Sequence, residues 1–163
     1  MLNYSTIYFI YGLPGVGKST YATKLYQDLI SVSNEPERYK IIHLDDYLKG
    51  DIDSLINEIY WDTSHDYIIE GVEVPRMIYN GKLLNFSNCH YIILVSSVWN
   101  CVMRKLKREY NEYKDKISKW DMIKDTPKMI KGYYDTYNHY MKEYDEFIRY
   151  IEYHMFNPQY IYT

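Results

Sequence analysis

The chain has 163 residues and a formal net charge of −3, with a sequence pI of about 5.9. This length fits one domain, residues 1–163, that can bury a full hydrophobic core. The slightly acidic balance argues against non-specific nucleic-acid binding but is compatible with small anionic ligands and local basic patches. No apolar run approaches the ~18 residues of a membrane span and no signal peptide is recognised, so we expect a soluble, cytoplasmic protein.

The residue composition supports two further expectations. The 22 tyrosines accompany many Asn, Ile and Lys residues, which is typical of AT-rich genomes, including those of some viruses that act in a host cytoplasm. Because the tyrosines fall at core-type spacings, we interpret them as packing residues. The two cysteines, Cys89 and Cys101, lack metal-ligand spacing and indicate reduced, packed thiols.

The most informative stretch is residues 12–20, a glycine-rich loop followed by a helical pattern. It fits G-x-x-x-x-G-K-[ST] and follows a short apolar run, Thr6 to Tyr11, that suits a central parallel strand. Glycines let successive backbone N–H groups point at phosphate oxygens, and the helix directs its positive end at the same anion. Lys18 supplies a charge for the terminal phosphates, and Ser19 a hydroxyl for magnesium. The predicted nucleotide-binding residues are Gly12, Leu13, Pro14, Gly15, Val16, Gly17, Lys18, Ser19 and Thr20.

Two further apolar segments end in carboxylates. Tyr39 to Leu44 predicts a second strand, followed by Asp45 and Asp46, and Asp66 to Glu70 predicts a third. The carboxyl ends of parallel strands line the crevice where open α/β sheets bind ligands. We interpret Asp45 as a base, Asp46 as a substrate-binding residue and alternative base, and Glu70 as a magnesium ligand, directly or through water. Each assignment has a structural alternative. Asp45 and Asp46 could instead cap a turn, and Glu70 could instead be an exposed glutamate at the end of a strand.

Residues near these strand ends have weaker signals. His43 is interpreted as a strand residue that faces a helix rather than as a catalytic group. Asp51 is interpreted as the N-cap of a short amphipathic helix. Arg76 follows Glu70 in a loop or short helix and is a candidate for holding a substrate anion, with a solvated surface arginine as the alternative.

A basic helix is predicted after a fourth strand, His90 to Val95. From about Val98 the pattern is helical, and Arg104 and Arg108 lie at i and i+4 on one face. Two guanidinium groups on one face can close over a transferring phosphoryl group, and a solvated basic face is the alternative. We therefore predict a lid-like segment around residues 98–118.

The last long helix is predicted to start at Thr126, with Pro127 at its first helical position. A core-facing stripe with alternating steps of three and four is predicted along it. Its members are Ile130, Tyr134, Tyr137, Met141, Tyr144, Ile148 and Ile151. Residues 159–163 predict a short final edge strand. The remaining histidines share no metal-ligand spacing, so no transition-metal site is expected.

In combination, these motifs resemble the P-loop kinases of the nucleoside and nucleotide kinase group. The resemblance rests on the glycine-rich loop, Leu-Asp-Asp-Tyr, Ile-Ile-Glu-Gly and a later Arg-Lys-x-Lys-Arg helix, and it extends from Thr6 to Tyr110. Uridine-kinase-like enzymes and polynucleotide 5′-hydroxyl kinases are the most similar in pattern. The resemblance implies a three-layer P-loop NTPase fold with a five-stranded parallel sheet in the order 2-3-1-4-5, helices on both faces, and ATP with magnesium as phosphoryl donor.

The same resemblance implies roles for individual residues. Lys18 would contact the donor phosphates, Ser19 and Glu70 would belong to the magnesium shell, and Asp45 would be a base or metal-side carboxylate. Arg104 and Arg108 would be lid residues. The chain departs from the pattern in its short acceptor region, residues 46–65, in the absence of a recognisable adenine-contacting motif, and in the lack of a helix after the last predicted strand.

Three functions are compatible with these residues. The leading hypothesis is a kinase that transfers the γ-phosphoryl group of ATP to a hydroxyl of a nucleoside-like or nucleotide-like small molecule. The second hypothesis changes only the acceptor, to the 5′-hydroxyl end of DNA or RNA. The third is a nucleotide-binding regulatory NTPase, which would need neither the paired acidic positions nor the basic helix.

Overall fold

A five-stranded parallel sheet forms the centre of the structure, a computed structural model that describes residues 5–47, 51–85, 88–113, 119–154 and 156–163. The strands are β1 (Ile7–Gly12), β2 (Tyr39–His43), β3 (Asp66–Glu70), β4 (Cys89–Val95) and β5 (Gln159–Tyr162). Their order in the sheet is β2-β3-β1-β4-β5, and every neighbouring pair is parallel. The predicted α/β class, strand order and final edge strand are confirmed.

Five helices surround this sheet in the described part of the chain: α1 (Lys18–Val32), α2 (Asp51–Trp61), α3 (Val74–Tyr79), α4 (Val98–Tyr113) and α5 (Lys119–Tyr153). The hydroxyl of Ser97 accepts a hydrogen bond from the N–H of Asn100 at 3.1 Å and caps α4. Residues 114–118 of the predicted lid-like segment lie outside the described residues.

The predicted start of the last helix at Thr126 is wrong. Helix α5 begins at Lys119, and Pro127 lies inside it. A proline removes one i to i−4 hydrogen bond and disfavours the helix interior, but it leaves the rest of the hydrogen-bond ladder in place. The Thr-Pro pair is therefore a local signal that does not distinguish a helix start from a continuing helix.

Two hydrophobic clusters pack on opposite faces of the sheet. Along β1, Ile7, Phe9 and Tyr11 belong to one cluster and Ile10 to the other, as the alternation of side chains in a strand requires. Helices α2 and α3 cover the first face, whereas α1 and α4 cover the second. Helix α5 contributes Phe147 to the first cluster and, nearer its start, Tyr137 to the second.

The predicted stripe on α5 is confirmed in part. Tyr137 and Ile151 are buried, and four other members are partly buried: Ile130, Met141, Tyr144 and Ile148. The prediction is wrong for Tyr134, which is 46% exposed, and Tyr133 packs on the core in its place. Phe147 is fully buried although the predicted stripe omits it. Residue spacing predicts which residues share one face of the helix. It does not predict where the neighbouring strands and helices lie, and their positions decide which residues of α5 are buried.

The expectation of packed thiols and packed tyrosines is confirmed only in part, because Cys89 is half-buried and seven described tyrosines, among them Tyr110 and Tyr153, are more than a third exposed. Both cysteines are free, Cys101 is buried, and burial raises the pKa of the Cys89 thiol to about 11. Tyr11, Tyr67 and Tyr91 are buried on strands of the central sheet. Among the residues that the structure describes, no helix combines the length and the apolar character needed to cross a bilayer.

Candidate functional site

The glycine-rich loop connects β1 to α1 at the carboxyl end of the central strand. Gly15 and Gly17 have φ angles of 79° and 104°, in the left-handed region that favours glycine. A Cβ at Gly15 would lie 2.8 Å from the carbonyl oxygen of Cys101 on α4, so the close approach also requires glycine there. No side chain caps the start of α1, and its first turn carries no acidic residue. The first backbone N–H groups of α1 are therefore suited to an anion.

Lys18 is a buried cation that lies against the loop backbone. Its Nζ donates hydrogen bonds to the carbonyl oxygens of Gly12 and Leu13 at 3.2 and 3.3 Å, and the residue is 6% exposed. Burial lowers the pKa of Lys18, and the charges of Asp45 and Glu70 partly oppose that shift. An anion bound beside Nζ would offset the cost of burying the ammonium group.

Glu70 is the buried carboxylate of the site. The residue is 3% exposed, and the hydroxyl of Ser19 donates a hydrogen bond to its Oε1 at 2.8 Å. The Nδ1 atom of His43 lies 2.6 Å from the same oxygen. The structure therefore brings the predicted pair Ser19 and Glu70 together. The side chains of Ser19 and His43 contact the same oxygen of the Glu70 carboxylate.

The interpretation of His43 as a residue that faces a helix is wrong. His43 and Glu70 are direct register partners across the parallel strands β2 and β3, and their side chains meet at the carboxyl end of the sheet. The signal available in the sequence was its position immediately before the Leu-Asp-Asp turn, at the end of a strand. That position became informative only once β2 was known to pair with β3.

The two predicted aspartates occupy different surroundings. They lie in a short 3₁₀ turn, Leu44–Asp46, that follows β2. The Oδ1 atom of Asp45 accepts a hydrogen bond from the N–H of Val72 at 3.2 Å, and a Cβ at Gly71 would lie 3.0 Å from that oxygen. Both aspartates are exposed, but Asp45 lines the same cavity as the loop, whereas Asp46 does not.

Helix α4 places its basic residues beside the loop. One Nη of Arg104 donates hydrogen bonds to the carbonyl oxygen of Val16 at 3.1 Å and to Oγ1 of Thr163 at 3.4 Å. Arg108 is exposed, and its Nε lies 3.9 Å from Glu112. Lys105 lies between them in sequence, with Nζ 4.5 Å from the ring centre of Tyr133.

These groups share one cavity of about 520 Å³, called here the loop cavity. It is lined by Pro14, Gly15, Gly17, Lys18, Ser19, Thr20, Asp45, Glu70, Val72, Arg104, Lys105, Arg108 and Tyr140. Four of the lining side chains are basic and two are carboxylates. The loop cavity is therefore suited to a multiply charged anion together with a cation near the two carboxylates.

Tyr137 is a further residue of the site. The helical spacing of α5 did not predict this role. It is 1% exposed, and its hydroxyl donates a hydrogen bond to the carbonyl oxygen of Pro14 in the loop, although 123 positions separate the two residues. Burial raises the pKa of Tyr137 to about 12, which keeps the hydroxyl protonated as a donor. The helical period identified Tyr137 as a core residue but carried no information about its hydroxyl.

Arg76 lies in a second cavity of about 590 Å³, called here the acidic cavity. This cavity is lined by Tyr11, Val72, Glu73, Pro75, Arg76, Tyr79, His139, Tyr140, Glu143 and Glu146. The Nη2 atom of Arg76 is 3.3 Å from Oδ2 of Asp53, so its charge is already paired. Arg76 is thus separate from the loop cavity, which it does not line.

A hard divalent cation is compatible with the oxygen atoms of the loop cavity. Ser19 and Glu70 are in contact, and Asp45 lines the same cavity. In the described ranges, no group of three or more His, Cys, Asp or Glu residues is arranged to hold a metal ion. Magnesium is commonly held by one or two protein carboxylates together with the phosphates of a ligand, and Glu70 and Asp45 supply two carboxylates to the loop cavity.

The comparisons with known proteins add little to this description. No family model matches the chain, and no curated protein matches it in sequence. Among solved structures, it is similar to the crystal structure of APE1195, with a TM-score of 0.47 and 16% sequence identity over 69% of this chain and 76% of that chain. The functional argument therefore depends on the residues and distances of this chain.

Proposed function

We propose that this protein is an ATP-dependent kinase of the P-loop NTPase fold that transfers the γ-phosphoryl group to a hydroxyl of a nucleoside-like or nucleotide-like small molecule. One observation carries the proposal: Lys18, the contacting pair Ser19 and Glu70, and the basic residues of α4 line a single cavity at the glycine-rich loop. Phosphoryl transfer depends mainly on positioning and on compensation of charge, and these residues supply both.

The loop and its lysine would hold the phosphates of the donor. Gly15 and Gly17 allow the backbone to curve around an anion, and the uncapped start of α1 adds N–H donors. Within the described part of the chain, the hydrogen-bond partners of the buried Lys18 ammonium group are the carbonyl oxygens of Gly12 and Leu13, so a phosphate oxygen would be a strong additional partner. Arg104 is held against the loop through Val16 and would compensate negative charge from the opposite side.

Magnesium fits the oxygen donors at the base of the loop cavity. Ser19 and Glu70 would hold the ion, directly or through water. A bound magnesium ion would neutralise part of the phosphate charge during transfer. His43 would act on Glu70 rather than on the ion, because a nitrogen ligand is unusual for magnesium.

Asp45 is the group proposed to accept the proton. The oxygen of the acceptor hydroxyl forms a new bond to the γ-phosphorus, and the bond from that phosphorus to the bridging oxygen of ADP breaks. The hydroxyl proton passes to the carboxylate of Asp45, which the N–H of Val72 orients. Arg104 and Arg108 stabilise the charge that develops on the transferring group.

The proposal is tested with Lys18→Ala and a labelled-ATP transfer assay over hydroxyl acceptors. By analogy with the removal of one well-placed donor, kcat should fall about 10²- to 10³-fold, or about 3 to 4 kcal/mol of transition-state stabilisation. The matched control is Lys24→Ala, because Lys24 is an exposed lysine on the same helix. An unchanged turnover rate in a folded Lys18→Ala protein would contradict the kinase assignment.

Comparing ATP consumption with and without acceptors separates the kinase from a regulatory NTPase. For a kinase, the rate should rise with the acceptor, and label should appear on the acceptor. For a regulatory NTPase, the rate should ignore the acceptor, and the label should be released as inorganic phosphate.

A further inference from the structure

We infer that the acidic cavity binds the phosphoryl acceptor and selects uncharged or cationic hydroxyl compounds, which carry no phosphate group. This inference rests on the proposed kinase function and names the acceptor class for the same site. It follows from the position of the acidic cavity, its charge and its aromatic surface.

The acidic cavity is a neighbour of the loop cavity. Val72 and Tyr140 line both cavities. The N–H of Val72 also holds Asp45, the proposed base, so the base lies at the boundary between the two. A hydroxyl group of a ligand in the acidic cavity would therefore be near both the base and the donor phosphates.

The two neighbouring cavities carry opposite charge. Three carboxylates line the acidic cavity, from Glu73, Glu143 and Glu146. Among the lining residues Arg76 carries a positive charge, and its Nη2 lies 3.3 Å from Oδ2 of Asp53, while Nε2 of His139 lies 3.5 Å from Oε1 of Glu143. In the loop cavity, by contrast, four basic side chains face two carboxylates. Phosphate groups are thus favoured in the loop cavity and disfavoured in the acidic cavity.

The apolar part of the acidic cavity is aromatic. Tyr11, Tyr79 and Tyr140 contribute rings to its lining, and Pro75 adds an apolar surface beside them. Burial raises the pKa of Tyr11 and of Tyr79, and nearby carboxylates raise both further, so these residues present neutral phenols. A volume of about 590 Å³ lies within the range of small-molecule sites. A ring with several hydroxyl groups matches this combination of aromatic faces and hydrogen-bond acceptors.

The charge of the acidic cavity also acts on the product. The acceptor oxygen gains the phosphoryl group from ATP, the bond to ADP breaks, and the hydroxyl proton passes to Asp45. The product therefore bears a phosphate dianion at the boundary between the two cavities, and the carboxylates of Glu73, Glu143 and Glu146 would oppose its entry into the acidic cavity. Repulsion should favour release of the product and should prevent its use as an acceptor in a second round.

The test compares two groups of acceptors at low salt, using the intact chain with ATP and magnesium. The first group contains ribonucleosides and glucosamine, and the second contains nucleoside 5′-monophosphates and a 5′-hydroxyl oligonucleotide. We expect kcat/KM for the best member of the first group to exceed that for any member of the second by at least about tenfold. The difference should shrink at high salt, because the carboxylates of Glu143 and Glu146 are solvent-exposed.

The double variant Glu143→Gln/Glu146→Gln tests the cause of this preference. We expect it to shift the ratio of kcat/KM values about 3- to 10-fold toward nucleoside monophosphates. The matched control is Glu37→Gln, because Glu37 is exposed and lines neither cavity. An unchanged ratio in the double variant, or a wild-type preference for phosphate-bearing acceptors, overturns the inference while the kinase function stands.

Equilibrium binding separates this inference from the kinase function. If no acceptor in either group is phosphorylated, the proposed function fails, and calorimetry on the same compounds then decides about the acidic cavity. Binding of uncharged or cationic compounds, with nucleoside monophosphates bound only by the double variant, supports the inference. Absence of binding, or tighter binding of phosphate-bearing compounds by the unmodified chain, overturns it.

Discussion

Across the paired strands β2 and β3, Nδ1 of His43 lies 2.6 Å from Oε1 of Glu70, the oxygen that also accepts the hydroxyl hydrogen bond of Ser19. Two contacts to one oxygen fix the orientation of the carboxylate and leave Glu70 little rotational freedom. Because the residue is almost fully buried, these contacts also provide hydrogen-bond partners for a side chain that has little access to water. His43 is therefore a positioning residue for the proposed magnesium ligand.

Replacing His43 should weaken this arrangement without removing the carboxylate. We expect His43→Ala to lower kcat up to about tenfold and to raise the magnesium concentration needed for half-maximal activity, because a hydrogen bond to a charged group is lost. His43→Asn keeps a donor and should recover most of the activity. The measurement is kcat during a magnesium titration.

His90→Ala is the control for His43, since His90 lies at the opposite end of the sheet on β4. It should change turnover less than about twofold, as surface substitutions away from special features usually do. Equal losses in His43→Ala and His43→Asn, or no loss in either, would rule out the positioning role.

The two arginines of α4 should differ in their effects. Arg104 contacts the loop through the carbonyl oxygen of Val16, whereas Arg108 lies 3.9 Å from Glu112 on its own helix. Arg104→Ala should therefore raise the KM for ATP and lower kcat. Arg108→Ala should lower kcat about 10-fold or more with little change in that KM, if its role is confined to the transferring group.

Steady-state kinetics over a range of ATP concentrations checks this difference. Lys107→Ala serves as the control, because Lys107 is exposed on the same helix and does not line the loop cavity. Identical effects of the two arginine substitutions on KM and kcat would show that the contact with Val16 does not matter to nucleotide binding.

Tyr137→Phe should loosen the glycine-rich loop. The substitution keeps the buried ring but removes the hydroxyl that donates to the carbonyl oxygen of Pro14. We expect the free energy of unfolding to fall by about 1 kcal/mol and the KM for ATP to rise several-fold, since the loop loses a fixed point. Urea unfolding and ATP kinetics measure the two effects.

Tyr134→Phe provides the matched change on the same helix, where the side chain is 46% exposed. It should leave the unfolding free energy within about 0.5 kcal/mol, and the KM for ATP within about twofold, of the starting values. A Tyr137→Phe protein that behaves like Tyr134→Phe would contradict the proposed connection between α5 and the loop.

Local patterns in the chain were sufficient for much of the fold. The apolar runs Thr6 to Tyr11, Tyr39 to Leu44 and Asp66 to Glu70 predicted three strands, because buried strands read as hydrophobic segments, and the structure has β1, β2 and β3 there within one residue at each end. The glycine-rich motif predicted where α1 begins, since its spacing encodes a local backbone conformation. The start of α5 was not predictable in this way, because the Thr-Pro signal describes one turn of backbone and not the helix that continues through it.

The sequence by itself determined the glycine-rich loop, the acidic strand ends and the basic face of α4, because each depends on residues close together in the chain. Only the tertiary structure decided which of these groups meet. Glu70 joins Ser19 and His43 through the pairing of β3 with β1 and β2, and Tyr137 reaches Pro14 because α5 crosses back to the loop. The opposite charges of the two cavities likewise arise from separate elements, so no local spacing encodes them.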